Sequence, residues 1–230
     1  VITAVDELLQ FAKDVNAGKY DNRTNAVVSL EADLDLTGVE WTPIGCTNDE
    51  GDVEHYFSGK FYGNGHSISN IDYASMYGKE DIGGLFGFLG GGAEISGLTL
   101  KGNIDDAGEG YVFLGTLAGY TDGAKISDCI SEVVFNNHDK YINGTFGLCG
   151  YAENTVIEYC QNKGNITITN DVSSFYVGGI AGMVMGTSEI RYCSNSGDIK
   201  SYAPQTGGIA GQISGTAKII NCCSTGKLTP

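Results

Sequence analysis

The sequence predicts an all-β fold: a right-handed parallel β-helix, or solenoid, with coils of about 31 residues and an N-terminal capping α-helix. Three observations predict it. The chain repeats itself internally, each repeat holds about three short β-favouring segments, and helical periodicity is confined to the first 20 residues.

The repeat is read from three blocks. The first runs Gly83-Gly84-Leu85-Phe86-Gly87, Gly115-Thr116-Leu117-Ala118-Gly119, Phe146-Gly147-Leu148-Cys149-Gly150, Gly178-Gly179-Ile180-Ala181-Gly182 and Gly207-Gly208-Ile209-Ala210-Gly211. Its last glycines, at 87, 119, 150, 182 and 211, step by 32, 31, 32 and 29 residues. The second block begins on Ile95, Ile126, Ile157, Ile190 and Ile219, with Ile68-Ser69-Asn70-Ile71 read as a degenerate earlier copy. The third is Gly102-Asn103-Ile104, Gly164-Asn165-Ile166, Gly197-Asp198-Ile199 and Gly226-Lys227-Leu228, replaced in the second unit by Val133-Val134-Phe135. One such unit cannot bury its own apolar side. Stacked copies bury a continuous core, each strand pairing with its equivalent one coil away. A propeller blade needs a longer repeat, and a leucine-rich repeat is shorter and carries a different consensus.

Stacking turns the blocks into columns. Leu85, Leu117, Leu148, Ile180 and Ile209 are expected inside, as are the second-block isoleucines, Ile68 included. Three residues after those isoleucines stand Ile71, Leu98, Cys129, Cys160, Cys193 and Cys222. Side chains alternate along a strand, so an offset of three puts both columns inside only if the chain bends between them. Asn70, Gly97, Asp128 and Asn221 precede that column and suit a left-handed corner, whereas Tyr159 and Tyr192 do not.

At the N-terminus, Thr3-Ala4-Val5-Asp6 reads as a capping box with Thr3 as N-cap. Val5, Leu8, Leu9, Ala12 and Val15 follow with helical spacing, and Gly18 closes the helix. Val27-Val28-Ser29-Leu30 and Leu34-Asp35-Leu36 then read as β segments. Residues 1–20 are therefore expected to cap the solenoid formed by residues 21–230 as part of one domain.

Composition narrows the function. With 28 acidic against 13 basic residues the net charge is −15, which disfavours nucleic acid and anionic membranes as partners. No apolar run is long enough to span a membrane. The chain opens on Val1 rather than Met and closes at Pro230 just after a repeat, as expected of a piece cut from a longer polypeptide.

Residues that look chemical have plainer readings. Of Cys46, Cys129, Cys149, Cys160, Cys193, Cys222 and Cys223, four share one column, as small buried residues do. Cys223, next to Cys222, is expected to face outward as an exposed thiol. No C-x-x-C occurs, and His55, His66 and His138 lie in unrelated turn-like contexts, so no metal site is expected. The acidic groups Glu31/Asp33/Asp35, Asp49/Glu50/Asp52/Glu54 and Asp105/Asp106/Glu109 read as a solvated strand face and two loops. No catalytic constellation or cofactor motif appears, and no enzyme activity is expected. One outer feature could bind. Phe88, Tyr120 and Tyr151, continued by Met183 and Gln212, form a column facing outward, where aromatic rings could stack on sugars or pack on a neighbouring domain. The alternative is that the rings simply cover the sheet.

The succession G-G-L/I-x-G, I-x-N-C and G-x-I resembles the GLUG-motif repeats of bacterial cell-surface proteins, from about residue 83 onward. Upstream, Asp33-Leu34-Asp35-Leu36, Trp41-Thr42-Pro43-Ile44-Gly45 and Phe61-Tyr62-Gly63-Asn64-Gly65-His66 resemble segments that precede such repeats. The resemblance implies a secreted or surface location and a structural or adhesive role toward host glycan, host protein or neighbouring domains. Such repeats occur in large proteins labelled adhesins or candidate immunoglobulin A proteases, whose protease centres lie elsewhere, so it brings no catalytic residues. A polysaccharide-acting enzyme on the same fold, or an accessory domain of a larger surface protease, are the alternatives.

Overall fold

The computed structural model describes residues 1–47, 53–72, 82–105, 113–137, 144–169 and 175–230, Cys46 by its backbone alone. The single helix among the described residues, α1 (Val5–Asn16), lies across the first coil and buries Leu8, Phe11, Ala12 and Val15. Its start corrects the capping expectation. The N-cap is Ala4, without a side-chain cap bond, and Thr3 lies one residue further out. Thr3 is still used, because its N–H and Oγ1 both donate to Glu7 Oε2, at 2.6 and 2.9 Å. The reciprocal partner is thus four residues on, at Glu7, rather than three. Gly18 closes the helix with φ +75°, as expected. Phe11 completes the buried stripe and joins an aromatic cluster of Tyr20, Phe57, Phe61 and Phe86, with centroids 5.2–6.1 Å apart.

Beyond the cap the chain winds into a solenoid with three parallel faces. The first holds seven strands: Val27–Ser29, Lys60–Tyr62, Glu94–Ser96, Lys125–Ser127, Val156–Glu158, Glu189–Arg191 and Lys218–Ile220. Their central residues form the inward column Val28, Phe61, Ile95, Ile126, Ile157, Ile190 and Ile219. Phe61, not Ile68, therefore holds the earlier rung of the isoleucine column. Ile68 is buried one face further on, between Leu34 and Leu100. Two extra residues in Gly63-Asn64-Gly65-His66 displaced the alignment. Asn70 and Ile71 move with it. Asn70 is left-handed, φ 57°, but at a later bend that stacks on Gly102.

The second face begins at Leu34–Asp35, Ser67–Ser69, Thr99–Asp105 and Ile130–Asn137. It then splits into paired short strands as far as Cys223–Ser224 and Leu228–Thr229. The third-block residues form one of its columns, Ile104, Phe135, Ile166, Ile199 and Leu228, so Val133-Val134-Phe135 does replace the usual block.

The third face carries the glycine block and is sharply bent. In Phe113–Asp122 the register slips between Gly115 and Ala118, and both Leu114 and Leu117 are buried. The bend is tight enough to exclude a side chain at its start. A Cβ on Gly115, Gly178 or Gly207 would lie 2.0–2.1 Å from the carbonyl oxygen three residues on. The last glycine is excluded from the other side, since a Cβ on Gly150 would meet Gly119 O at 2.6 Å and Leu114 N at 2.9 Å. The motif is thus a pinch that drives Leu85, Leu117, Leu148 and Ile180 into the core, where they are 0–1% exposed. Each buried side chain of this size contributes about 1.5–3 kcal/mol. Ile209 is only partly buried and Ile219 is 36% exposed, both standing on the last coil of residues 1–230.

A small antiparallel pair, Cys46–Thr47 with Val53–His55, projects from the first coil. His55 is therefore a strand residue rather than a turn residue. Its Nδ1 lies 2.9 Å from Asp21 Oδ2, tying the pair to the chain that follows α1.

Candidate functional site

Four ladders run along the solenoid axis, three of them built on residues singled out in the sequence. In the aromatic ladder Phe88, Tyr120, Tyr151, Met183 and Gln212 pair rung to rung, in the register expected. Phe88 and Tyr120 stack at 5.1 Å and 17°, and Tyr120 and Tyr151 at 4.9 Å and 12°. Both faces of Tyr120 are therefore occupied by neighbours in the ladder. From across the bend, Phe113 wedges against Tyr120 at 5.6 Å and Tyr151 at 5.0 Å, and Tyr56 packs edge-on against Phe88 at 5.6 Å. Solvent meets ring edges and hydroxyls rather than ring faces. The Tyr120 hydroxyl donates to Glu153 Oε2 at 2.6 Å, and burial together with that carboxylate pushes its pKa well up. Burial also raises Tyr151, with Glu153 and Asp122 adding to the shift.

The thiol ladder, Cys129, Cys160, Cys193 and Cys222, lines the corner between the first and second faces. Each thiol donates to the carbonyl two residues back, at 3.3–3.4 Å. The N–H groups of Cys160 and Cys193 in turn donate to the Sγ of the next rung, both at 3.4 Å. Cysteine is thus more than small at this place, since one side chain supplies both a donor and an acceptor where the corner interrupts the backbone ladder. All the described cysteines are free, and burial raises the Cys160 pKa well above its usual value. Cys149, in the pinch, is pushed up to about 12 by burial. Cys223 is exposed, as expected.

The amide ladder was not read from the sequence. Asn162 and Asn195, which are 3% and 1% exposed, point inward between Ser131 and Ser224. Asn162 Nδ2 donates to Gly164 O at 2.9 Å and to Asn195 Oδ1 at 2.8 Å. Asn195 Nδ2 repeats this toward Gly197 O at 3.0 Å and Ser224 Oγ at 3.2 Å. The available signal was the spacing Cys-x-Asn-x-Gly, present at Cys160 and Cys193 and altered to Ser at Cys222.

The fourth ladder is the left-handed corner itself. Gly97, Asp128, Tyr159, Tyr192 and Asn221 have φ of 67°, 54°, 56°, 55° and 52°. The two tyrosines thus keep a corner that sequence reasoning did not expect of them. A bulky residue in this conformation is strained by about 1–3 kcal/mol. Their rings are parallel, 5.2 Å apart at 7°, and remain 51% and 48% exposed. Below them lies the most connected charge network among the described residues. Glu158 accepts from Lys125 at 2.7 Å and Arg191 at 2.8 Å, and Arg191 reaches on to Glu189 at 3.3 Å. Hydrogen bonding from Lys125, then from Arg191, lowers the Glu158 pKa.

The first acidic group has a structural role beyond a solvated face. Asp33 accepts from Ser67 N at 2.7 Å, Asp35 accepts from Asn70 at 2.9 Å and from Thr37, and Glu31 accepts from Asn64 at 3.0 Å. These carboxylates tie turns of adjacent coils together. Of the other two groups only Glu54 and Asp105 are described; Asp49, Glu50, Asp52, Asp106, Glu109 and His138 lie outside the described residues. Among the described residues no group of three His, Cys, Asp or Glu side chains could hold a metal ion, and no helix is long and apolar enough to cross a membrane.

The family described as the GLUG motif matches residues 173–200, the coil that carries Gly178–Gly182 and Ile190. No curated protein matches the chain. Among solved structures, a candidate immunoglobulin A1 protease from Bacteroides ovatus superposes with a TM-score of 0.67 at 17% identity. The match covers 97% of this chain and 66% of that one, just under two thirds. A second structure, named IgA1 Protease, superposes with a TM-score of 0.58 at 18% identity over 100% of this chain and 20% of that one. At these identities the likeness is one of fold.

Proposed function

We propose that this chain, a GLUG-repeat β-solenoid, is a non-catalytic structural module of a secreted or cell-surface bacterial protein, a stiff spacer that positions other parts of that protein. The observation that carries this reading is the fate of the chemical side chains. Ring faces, thiols and buried amides are taken up by contacts with the next coil. Much of what is left outside is paired charges and turn-capping carboxylates, the half-exposed Tyr159 and Tyr192 at the corner apart. The names of the two structural neighbours support a more specific version, in which the module is accessory to a surface protease whose catalytic centre lies in another domain.

The test is an exchange of this module, within its parent protein, for an unrelated solenoid with the same number of coils. A spacer is replaceable, so parent function survives the exchange. Loss of function despite correct folding of the hybrid overturns the reading, as does turnover of acidic glycans by the isolated chain that a single carboxylate substitution abolishes.

The adhesive version, with Phe88, Tyr120 and Tyr151 binding glycan, is favoured by their outward register alone. Sugars stack on ring faces, and Tyr120 has neither face free. Glycan retention that disappears in the Tyr120→Ala/Tyr151→Ala double variant, with the fold intact, would establish it over the spacer.

A further inference from the structure

The corner column offers free aromatic surface of a kind the longer ladder lacks. Tyr159 and Tyr192 cover each other on one side only, and the opposite face of Tyr159 looks toward the preceding rung, which holds Asp128. Asp128 is exposed, and its carboxylate has no hydrogen bond or ion pair among the described residues. The neighbouring Glu158, by contrast, is saturated by Lys125 and Arg191. An open tyrosine face beside an unpaired carboxylate, one coil spacing of ~4.8 Å away, is the arrangement that holds a guanidinium. The ring faces the planar cation while the carboxylate takes its N–H groups.

The backbone argues that these rings are there for more than stability. Glycine, aspartate and asparagine fill the same corner in the other coils, at Gly97, Asp128 and Asn221, without the strain that tyrosine brings. Strain of this kind, held in two consecutive coils at half-exposed aromatic residues, marks a surface used for recognition. The rings stand half exposed on the outside of a corner, so they suit a protein partner that brings its own side chain to them rather than a small ligand needing a cavity. A net charge of −15 steers basic segments toward the chain.

We propose that Asp128, Tyr159 and Tyr192 form a docking ridge for an arginine side chain of a basic protein segment, its guanidinium stacked on Tyr159 and paired with Asp128. This goes beyond the spacer role, and the module exchange above can fail or succeed independently of it. The experiment titrates hexa-arginine and hexa-lysine peptides into the intact chain, followed by NMR, and repeats the titration with Asp128→Asn, Tyr159→Asn and Tyr159→Asn/Tyr192→Asn. Asparagine is native to this corner at Asn221, so the variants keep the fold, and thermal melting checks that they do. The expected result is shifts centred on Asp128, Tyr159 and Tyr192, weaker binding of hexa-lysine, and a loss of about five-fold in hexa-arginine affinity in each single variant. The double variant is expected to melt no lower than the parent. Equal affinity for both peptides, affinity unchanged by Tyr159→Asn, or shifts located elsewhere would overturn the proposal. A lower melting temperature in the double variant with undiminished binding would do so too, and would make the rings purely structural. Binding of neutral maltohexaose at the ridge in place of hexa-arginine would replace a protein partner with a glycan.

Discussion

Substituting Asn162 by alanine tests whether the amide ladder holds adjacent coils together. The Asn162 side chain is buried, and its Nδ2 serves two acceptors, Gly164 O within its own coil and Asn195 Oδ1 in the next. Alanine removes the donor from both without removing the need for one. Each of the two buried acceptors left without its donor costs about 1–3 kcal/mol, so the expected loss is about 2–6 kcal/mol. For a chain of this size that lowers the melting temperature by roughly 4–24 °C. Asn195→Ala is expected to cost a similar amount, because Asn195 donates in turn to Gly197 O and Ser224 Oγ. The two residues share the 2.8 Å bond, so the double variant should cost less than the two singles combined, with a coupling of about 0.5–3 kcal/mol. Urea unfolding of the four proteins measures the cycle. A loss below about 0.5 kcal/mol in Asn162→Ala, or coupling indistinguishable from zero, would refute the reasoning and reduce the ladder to space filling.

Other perturbations separate the interior of the stack from its end and its surface. Ile157→Ala, at a fully buried rung, is expected to cost about 2–5 kcal/mol, and Ile219→Ala, at a rung 36% exposed, well under half as much, by denaturant titration. The Glu158 pKa is lowered in the folded chain, so its contribution is complete above the unfolded carboxylate value of 4.5 and is lost as pH falls through the folded one. Glu158→Gln should therefore lower stability near neutrality and flatten its fall on acidification, read from melting temperature against pH. Iodoacetamide on the native chain should label Cys223 first and leave Cys149 and Cys160 unmodified until denaturant is added, as peptide mass spectrometry would record. Native labelling of Cys149 at the rate of Cys223 would mean that the pinched face opens freely.

The fold was legible because its period is written in residues that stacking constrains. The pinch admits no Cβ at Gly178 or Gly207, and the column beneath needs Ile or Leu, so the block recurs visibly. Legibility failed where a coil changes length. Gly63-Asn64-Gly65-His66 inserts residues without altering the apolar alternation, and Ile68 was therefore assigned to the wrong column although it is buried. The N-cap was placed one residue early because Thr3 has the right chemistry, and only the geometry shows that it reaches Glu7 from outside the helix. For the candidate sites, the outward register of Phe88, Tyr120 and Tyr151 followed from alternation. That their faces are buried against one another did not, since it depends on a rung spacing close to the thickness of a stacked ring. The left-handed Tyr159 and Tyr192 were illegible for the opposite reason, since residue preference argued against the conformation that the repeat imposes.

Within residues 1–230 the unequal ends of the stack set a direction in time. At one end α1 and the rings of Phe11, Phe57, Phe61 and Phe86 interlock. At the other, Ile219 and Leu228 lie 36% and 49% exposed. Residues 1–230 taken by themselves should therefore open as a melting front, entering at Leu228 and advancing one coil at a time toward the aromatic end. Refolding should travel back along the same line, each closed coil serving as the template on which the next one zips. Amide exchange measured coil by coil would show this as a gradient, fastest at Lys218–Ile220 and slowest at Lys60–Tyr62.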